Sequence, residues 1–281
     1  MIAAFLVAAL LVPREPLVFK AEAEAVLLDV FVTRGGEPVA GLTAADFEVT
    51  EAGQRRAIEL VPTADVPLAA LLVFDTSMSV TGPKLEHLRT ASGAFLAGLG
   101  PGDQALLLTF SHGVRLRAPL TPDRDAVRRA LAVVRAGGRT SLHDALFTAL
   151  LLAPRLPGRP VVLAFTDGED TTSWVGAPSV LQAARESDTL VYAVGAGATG
   201  LRQIVAVTGG RSLGDDGPDL EAAFLRVQRE LRARYLLRFT PADGKPGWRP
   251  IRVRLRRGEG EIRSRPGYWR PPPAKAPAGG P

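Results

Sequence analysis

The feature that most constrains this chain is a series of short apolar segments that alternate with amphipathic segments between residues 64 and 233. Residues 68–74 (LAALLVF), 105–110 (ALLLTF) and 161–166 (VVLAFT) have the length and composition of strands that are buried on both faces of a sheet. The intervening segments, such as residues 84–99, repeat leucine and phenylalanine at helical spacing. This alternation predicts an α/β fold with a doubly wound, mostly parallel sheet flanked by helices.

Two β-rich segments flank this domain, at residues 19–63 and 234–270. Each contains short β-branched stretches separated by glycine turns, but too few of them to bury both faces of a sheet alone. Residues 54–61 (QRRAIELV), for example, are predicted to form one strand. We therefore expect the two segments to pack against each other or against the α/β domain. Residues 271–281 (PPPAKAPAGGP) are expected to form a proline-rich disordered tail.

The N-terminus is a separate apolar segment, MIAAFLVAALLV at residues 1–12. It is shorter than the roughly 20 residues that span a bilayer, and it fits the apolar core of a secretory signal. We predict that residues 1–18 are a signal peptide or an N-terminal anchor. The protein would then be exported, to the periplasm or outside the cell, with membrane contact only through that segment. A buried helix or strand is the alternative interpretation.

The composition excludes several kinds of functional site. Cysteine is absent and only 3 histidines are present, so thiolate metal sites, iron–sulfur clusters and cysteine nucleophiles are excluded. Any metal should be a hard cation bound by oxygen. Aromatic residues make up only 6% of the chain, which argues against a nucleic-acid surface that stacks bases.

Residues 226–270 are rich in arginine. One interpretation is that they face an anionic partner. We favour the other, that the arginines form the solvent side of a strand, because Arg252 and Arg254 alternate with apolar residues.

Two aspartates follow predicted buried strands, at positions 75 and 167. Carboxyl ends of parallel strands meet at one edge of a sheet, where two desolvated carboxylates would repel each other. A divalent cation between them would offset both costs. Ser77 and Ser79 alternate after Asp75, and Thr140 follows a glycine turn, so three hydroxyls are available near the same edge. Ligation by oxygen alone favours Mg²⁺ or Mn²⁺.

Three motifs cover these positions: DTSMS (75–79), GGRTSLHDAL (137–146) and TDGED (166–170). Together they resemble the metal-ion-dependent adhesion site (MIDAS) of von Willebrand factor A (VWFA) domains, a Rossmann-like family. The segment TGGR (208–211) is also similar to the family. The flanks, at residues 30–59 and 263–269, resemble the VWFA-related proteins of Acidobacteria and similar bacteria. The resemblance covers roughly residues 25–270.

The resemblance implies both a site and a function. The implied metal ligands are Asp75, Ser77, Ser79, Thr140 and Asp167, with Mg²⁺ or Mn²⁺ as the ion. The implied function is metal-dependent protein binding or adhesion, in which an Asp or Glu of a partner protein completes the coordination shell. No enzymatic activity is expected.

Three other interpretations of the sequence compete with this one. Residues 195–200 match the dinucleotide fingerprint G-x-G-x-x-G, but they follow the last strand of the series rather than the first, which favours a tight turn. An aspartyl-phosphate hydrolase would need a second carboxylate at position 77, which is serine. A metal-free structural module of the cell envelope remains as the third alternative.

Four further residues near the site have open roles. Glu169 and Asp170 are interpreted as solvated loop acids in preference to residues that support the metal ligands. His143 is interpreted as a packed helix residue. Trp174 is either a contact for a partner or a cover over the edge of the sheet.

Overall fold

The computed structural model describes residues 25–195, 199–214 and 219–271. The predicted signal segment and residues 272–281 of the predicted tail lie outside these ranges. Within them, no helix is both long and apolar enough to cross a bilayer.

The described chain contains the following strands and helices in sequence order. The strands are β1 (Val26–Arg34), β2 (Glu37–Pro38), β3 (Phe47–Glu51), β4 (Gln54–Arg56), β5 (Ile58–Val61), β6 (Leu68–Asp75), β7 (Gln104–Phe110), β8 (Val114–Thr121), β9 (Arg159–Phe165), β10 (Leu190–Val194), β11 (Ser212–Leu213), β12 (Tyr235–Phe239), β13 (Gly247–Leu255), β14 (Glu261–Arg263) and β15 (Gly267–Arg270). The helices are α1 (Pro83–Ala97), α2 (Arg124–Ala132), α3 (Leu142–Leu152), α4 (Ala177–Glu186), α5 (Thr199–Thr208) and α6 (Leu220–Arg232).

The centre of the molecule is a six-stranded sheet with the order β11-β10-β9-β6-β7-β8. The strands are parallel, except that β8 runs antiparallel to β7 at one edge. Helices α1, α2 and α6 cover one face, and α3, α4 and α5 cover the other. The predicted doubly wound α/β fold is confirmed.

Strand β6 illustrates why the central strands are apolar throughout. Leu72 and Phe74 point into the core on the α1 side, whereas Leu71 and Val73 point into the core on the α3 side. All four side chains are at most 1% exposed. Since both faces of the sheet are covered, the strand has no solvent side, and the usual alternation of apolar and polar residues disappears.

The two β-rich segments form a second layer together. Strand β1 lies between β12 and β14, in a sheet with the order β14-β1-β12-β5. Strand β13 lies between β3 and β15, in a four-stranded sheet completed by β4. The two sheets enclose a core that includes Leu28, Phe47, Leu237 and Tyr268. The expectation that the N- and C-terminal β segments pack together is confirmed.

Some strand predictions for this layer were wrong in detail. Residues 54–61 were expected to form one strand, but they form β4 and β5, which belong to different sheets. The chain leaves one sheet at Ala57 and enters the other, because both sheets share one core and Ile58 packs into it. Strands β11 and β15 were not predicted.

A buried group of polar side chains joins the β layer to the α/β domain, and we call it the buried ionic cluster (Tyr192, Glu230, Arg234 and Arg263). Arg234, whose side chain is 0% exposed, contacts Glu230 at 3.1 Å and donates through Nε to the Tyr192 hydroxyl at 3.0 Å. Arg263 of β14 contacts the same Glu230 carboxylate at 2.6 Å. Tyr192 on β10 and Glu230 on α6 belong to the α/β domain, so this cluster fixes the two layers against each other.

Candidate functional site

Three loops meet at the carboxyl edge of the central sheet, one after β6, one before α3 and one after β9. Backbone hydrogen bonds tie them together: Met78 N donates to Gly138 O at 3.0 Å, and Thr171 N donates to Thr140 O at 2.8 Å. Gly137 N also donates to Thr76 O at 2.8 Å. The backbone therefore fixes the relative positions of the three loops that carry the predicted ligands.

Four of the five predicted ligands are connected by direct hydrogen bonds. Ser77 N donates to Asp75 Oδ1 at 2.8 Å, and the hydroxyls of Ser77 and Ser79 lie 3.0 Å apart. The Ser79 hydroxyl donates to Asp167 Oδ1 at 2.6 Å, across 88 positions of sequence. This continuous series of contacts runs from the end of β6 to the loop after β9.

The fifth predicted ligand, Thr140, lies beside the same loop. A Cβ atom added to Gly168 would lie 3.8 Å from Ser79 Oγ and 3.9 Å from Thr140 Oγ1. Both hydroxyls therefore border the same small space next to Asp167. The structure brings all five predicted residues to one place at the sheet edge.

Asp75 is the most deeply buried of the five residues, at 0% exposure. Besides Ser77 N, its carboxylate accepts a hydrogen bond from the Thr166 hydroxyl at 2.7 Å. Burial raises the pKa of the Asp75 carboxyl, the bonds from Ser77 and Thr166 lower it, and the nearby Asp167 raises it again, with a net increase. A positive charge at this edge would stabilise the ionised form.

Such a positive charge is present on the Asp167 side of the site. Lys84, in the first turn of α1, forms an ion pair with Asp167 Oδ2. The Asp167 side chain is only 4% exposed, whereas the Lys84 side chain is 51% exposed. The ammonium group shows that a cation fits against this carboxylate.

The donor set also has the chemistry that a hard divalent ion requires. It consists of two carboxylates and three hydroxyls, all of them oxygen donors of the kind that Mg²⁺ and Mn²⁺ accept. Among the residues that the structure describes, no three His, Cys, Asp or Glu side chains are grouped so as to hold a metal. A site here would therefore depend on the serine and threonine hydroxyls as well as on the two aspartates.

Asp170 has a structural role that the sequence analysis missed. Its carboxylate accepts hydrogen bonds from His143 N at 2.9 Å and from Ser173 N at 3.1 Å. Burial raises the pKa of Asp170, but these hydrogen bonds lower it by more. The interpretation of Asp170 as a solvated loop acid was wrong, whereas its neighbour Glu169 is exposed.

Asp144, in the first turn of α3, holds the next part of the loop. Its Oδ1 accepts hydrogen bonds from Trp174 N at 3.1 Å and from Val175 N at 2.9 Å. The Trp174 side chain is nevertheless 97% exposed, so it does not cover the edge of the sheet. No local pattern indicates these roles of Asp144 and Asp170, because Asp144 contacts Trp174 across 30 positions of sequence and Asp170 contacts His143 across 27.

Gly195, the first residue of the glycine-rich segment 195–200, lies next to this site, and residues 196–198 are outside the described ranges. Gly195 has φ +119°, and a Cβ atom there would lie 1.8 Å from the carbonyl oxygen of Thr166. Glycine is therefore required for the close approach of the β10 end to the site loop, as the tight-turn interpretation expects.

Comparison with known proteins agrees with the fold described above. The sequence model of the von Willebrand factor type A domain matches residues 70–169. This part of the chain is therefore similar to von Willebrand factor type A domains. The match begins in β6 and ends just after Asp167, so it includes all five predicted ligand positions.

The sequence relatives are much longer than this chain. Inter-alpha-trypsin inhibitor heavy chain H4 from Sus scrofa is 30% identical over 133 residues, which is 43% of this chain and 14% of the relative. The Homo sapiens protein of the same name is 30% identical over 135 residues, with the same coverage. The chain spans only about a seventh of the length of these relatives.

Two solved structures show the same fold. The von Willebrand factor type A protein from Catenulispora acidiphila has a TM-score of 0.57 at 13% identity, covering 85% of this chain and 74% of that chain. Proximal thread matrix protein 1 from the mussel byssus, with a zinc-occupied MIDAS motif, has a TM-score of 0.54 at 19% identity. That match covers 64% of this chain and 49% of the mussel protein.

Proposed function

We propose that this chain is a metal-dependent protein-binding module with a MIDAS-type site. Asp75, Ser77, Ser79, Thr140 and Asp167 would hold Mg²⁺ or Mn²⁺. The observation that supports the proposal is the unbroken contact series from Asp75 through the two serines to Asp167, formed by residues from two distant loops.

The chemistry of these residues suits binding of an acidic partner. Asp75 and Asp167 would balance the charge of a divalent ion, while the three hydroxyls are neutral donors. The bound ion would supply an electrophilic position for a carboxylate oxygen from an Asp or Glu of the partner protein. No bond is broken in such an interaction, so we propose that the chain is not an enzyme.

The rim of the site carries exposed apolar side chains that suit a protein partner. Met78, between the two site serines, is 64% exposed, and Trp174 is 97% exposed. Asp144 fixes the backbone at Trp174, so the indole is presented from an ordered loop. Exposed tryptophans on fixed backbone are frequent anchors of protein interfaces.

A metal-free structural module of the cell envelope is the second candidate function. It is favoured by the ion pair between Lys84 and Asp167, which neutralises one site carboxylate without any metal. A hydrolase is a weaker alternative, since position 77 offers a hydroxyl where that chemistry needs an acid.

The location and the closer relationship are also proposals. We propose export to the periplasm or the cell exterior, directed by residues 1–18, because the apolar segment has the length of a signal core. We also propose that the chain belongs with the VWFA-related proteins of Acidobacteria and similar bacteria. The N- and C-terminal segments that carry this resemblance pair in one β layer.

The test of metal binding is thermal unfolding with and without the ion. Ligand at 100 times its Kd stabilises a folded protein by about 2.7 kcal/mol, so Mg²⁺ or Mn²⁺ should raise the melting temperature of the wild type clearly above its value in EDTA. Asp167→Ala should abolish this increase. Glu169→Ala, which removes an exposed acid two positions away, is the matched control and should retain it.

The test of the binding function is affinity capture from the source organism's extracellular fraction in Mg²⁺ and in EDTA. Partners should be retained by the wild type only in Mg²⁺ and should be absent with Asp167→Ala. Absence of any ion effect on the wild-type melting temperature, together with identical partners in all conditions, would favour the structural module instead.

A further inference from the structure

We propose that Lys84 is a built-in competitor of the metal ion: its ammonium group pairs with Asp167 in the metal-free protein and must leave when a divalent cation binds. This inference rests on the proposed function of the same site. It adds a residue that sets the ion affinity without being a ligand.

The fold places Lys84 at the site through the start of α1. Gly82, with φ +66°, turns the chain directly after the site serines, and Pro83 begins the helix. Leu85 and Leu88 anchor α1 in the core, at 8% and 0% exposure. The backbone position of Lys84 is therefore fixed, and its side chain reaches Asp167 across 83 positions of sequence.

The different exposures of the two partners suggest which one moves. Asp167 is 4% exposed, and a carboxylate so far removed from water needs a cationic partner. Lys84 is 51% exposed, and a lysine ammonium on its flexible stem is readily hydrated. Exchange would therefore release Lys84 towards water while Asp167 stays in place and accepts the ion.

Simultaneous occupancy of Asp167 by both cations is unfavourable for two reasons. A protonated lysine has three donors and no acceptor, so it cannot become a ligand of the ion. The ammonium and the divalent ion also repel each other when they contact the same carboxylate. The consequence is an exchange: the metal-free site is stabilised by Lys84, and the ion affinity is reduced by the same contact.

The test measures Mg²⁺ and Mn²⁺ affinity by calorimetry for four proteins. Lys84→Met keeps most of the side-chain volume and removes the charge, and we expect it to bind the ion about tenfold more tightly, which corresponds to about 1.4 kcal/mol. In EDTA its melting temperature should be several degrees lower than that of the wild type, and in saturating Mg²⁺ the difference should disappear. Lys84→Arg should bind the ion like the wild type.

Lys245→Met is the matched control, because it removes the same charge from an exposed position in the β layer. Its affinity should equal that of the wild type, which excludes a general effect of net charge. Equal affinity of Lys84→Met and the wild type would overturn the role of Lys84 and leave the metal site standing. Absence of ion binding in both proteins would instead contradict the proposed function.

A measurement on the wild type avoids any effect of the variants on folding. Lysine amines are acetylated and the modified residues are identified by mass spectrometry. The acetylation rate of Lys84 should be higher in saturating Mg²⁺ than in EDTA. The rate at Lys245 should be the same in both and provides the reference. Equal Lys84 rates in the two conditions, with Mg²⁺ bound, would contradict the exchange.

Discussion

Replacing Arg234 with methionine removes a guanidinium from the centre of the buried ionic cluster. In the wild type this group contacts Glu230 at 3.1 Å, donates to Gly209 O at 2.7 Å and donates to the Tyr192 hydroxyl at 3.0 Å. Breaking a buried ion pair by removing one partner costs about 3–5 kcal/mol. Since Arg263 still contacts Glu230 at 2.6 Å in the variant, we expect the lower end of that range, about 3 kcal/mol.

The loss is measurable by denaturant titration and by thermal unfolding. At about 2–4 °C per kcal/mol for a domain of this size, the melting temperature should fall by roughly 6–12 °C. Arg238→Met is the matched control, because Arg238 lies on strand β12, which begins directly after Arg234, and pairs with Glu59 at the surface. Loss of this exposed ion pair should change the stability little. A loss below about 1 kcal/mol for Arg234→Met would refute the assignment of this cluster as a stabilising connection.

The pH dependence gives an independent check on the same cluster. Burial alone would raise the pKa of Glu230. The hydrogen bond from Arg263 and the charge of Arg234 outweigh burial, so the pKa of Glu230 lies below its ordinary value of 4.5. Ionised Glu230 therefore contributes stability that is present above about pH 4.5 and is lost as the pH falls through its folded-state pKa. The wild type should lose more stability than Arg234→Met over that acidic range.

Three further predictions concern the site loops. Gly195→Ala should lose most of its soluble yield, because the new Cβ would lie 1.8 Å from Thr166 O. Gly214→Ala should be produced normally, because among the described residues no atom beyond its chain neighbours lies within 4 Å of the new Cβ. Trp174→Ala should keep the wild-type melting temperature, since the side chain is 97% exposed, but should retain less partner in capture assays; a lower melting temperature would contradict its role as a contact residue. Asp144→Ala should make the loop after β9 more sensitive to limited proteolysis, because Trp174 N and Val175 N lose their acceptor, and an unchanged cleavage rate would count against that role.

The central sheet and the predicted ligands were accessible from the sequence for one physical reason. Strands buried on both faces must be apolar along their whole length, so an aspartate at the end of such a strand stands out. Asp75 follows six residues that are at most 1% exposed, and residues 161–166 before Asp167 are buried to the same degree. Parallel strands of one sheet have their carboxyl ends at the same edge, so the sequence also predicts that the two aspartates lie together there.

The remaining features depend on contacts that the local sequence does not encode. Residues 54–61 (QRRAIELV) contain no glycine or proline at which a strand would be expected to end, so the change of sheet at Ala57 left no pattern. Strand β11 has only two residues, too few for any periodicity. The pairing of Lys84 with Asp167 joins positions 83 apart, and it follows only from the packing of α1 beside the sheet.

The interleaving of the chain ends in the β layer has a consequence for how the protein is made. Strand β1 hydrogen-bonds to β12 and β14, and β3 to β13, so these strands have partners that lie at least 200 positions later in the sequence and are synthesised long after them. Pairings between such distant segments form slowly. During synthesis β1 and β3 therefore present unpaired edges until these partners have been made, and a chaperone that shields them until residue 263 has emerged would raise the yield of native protein.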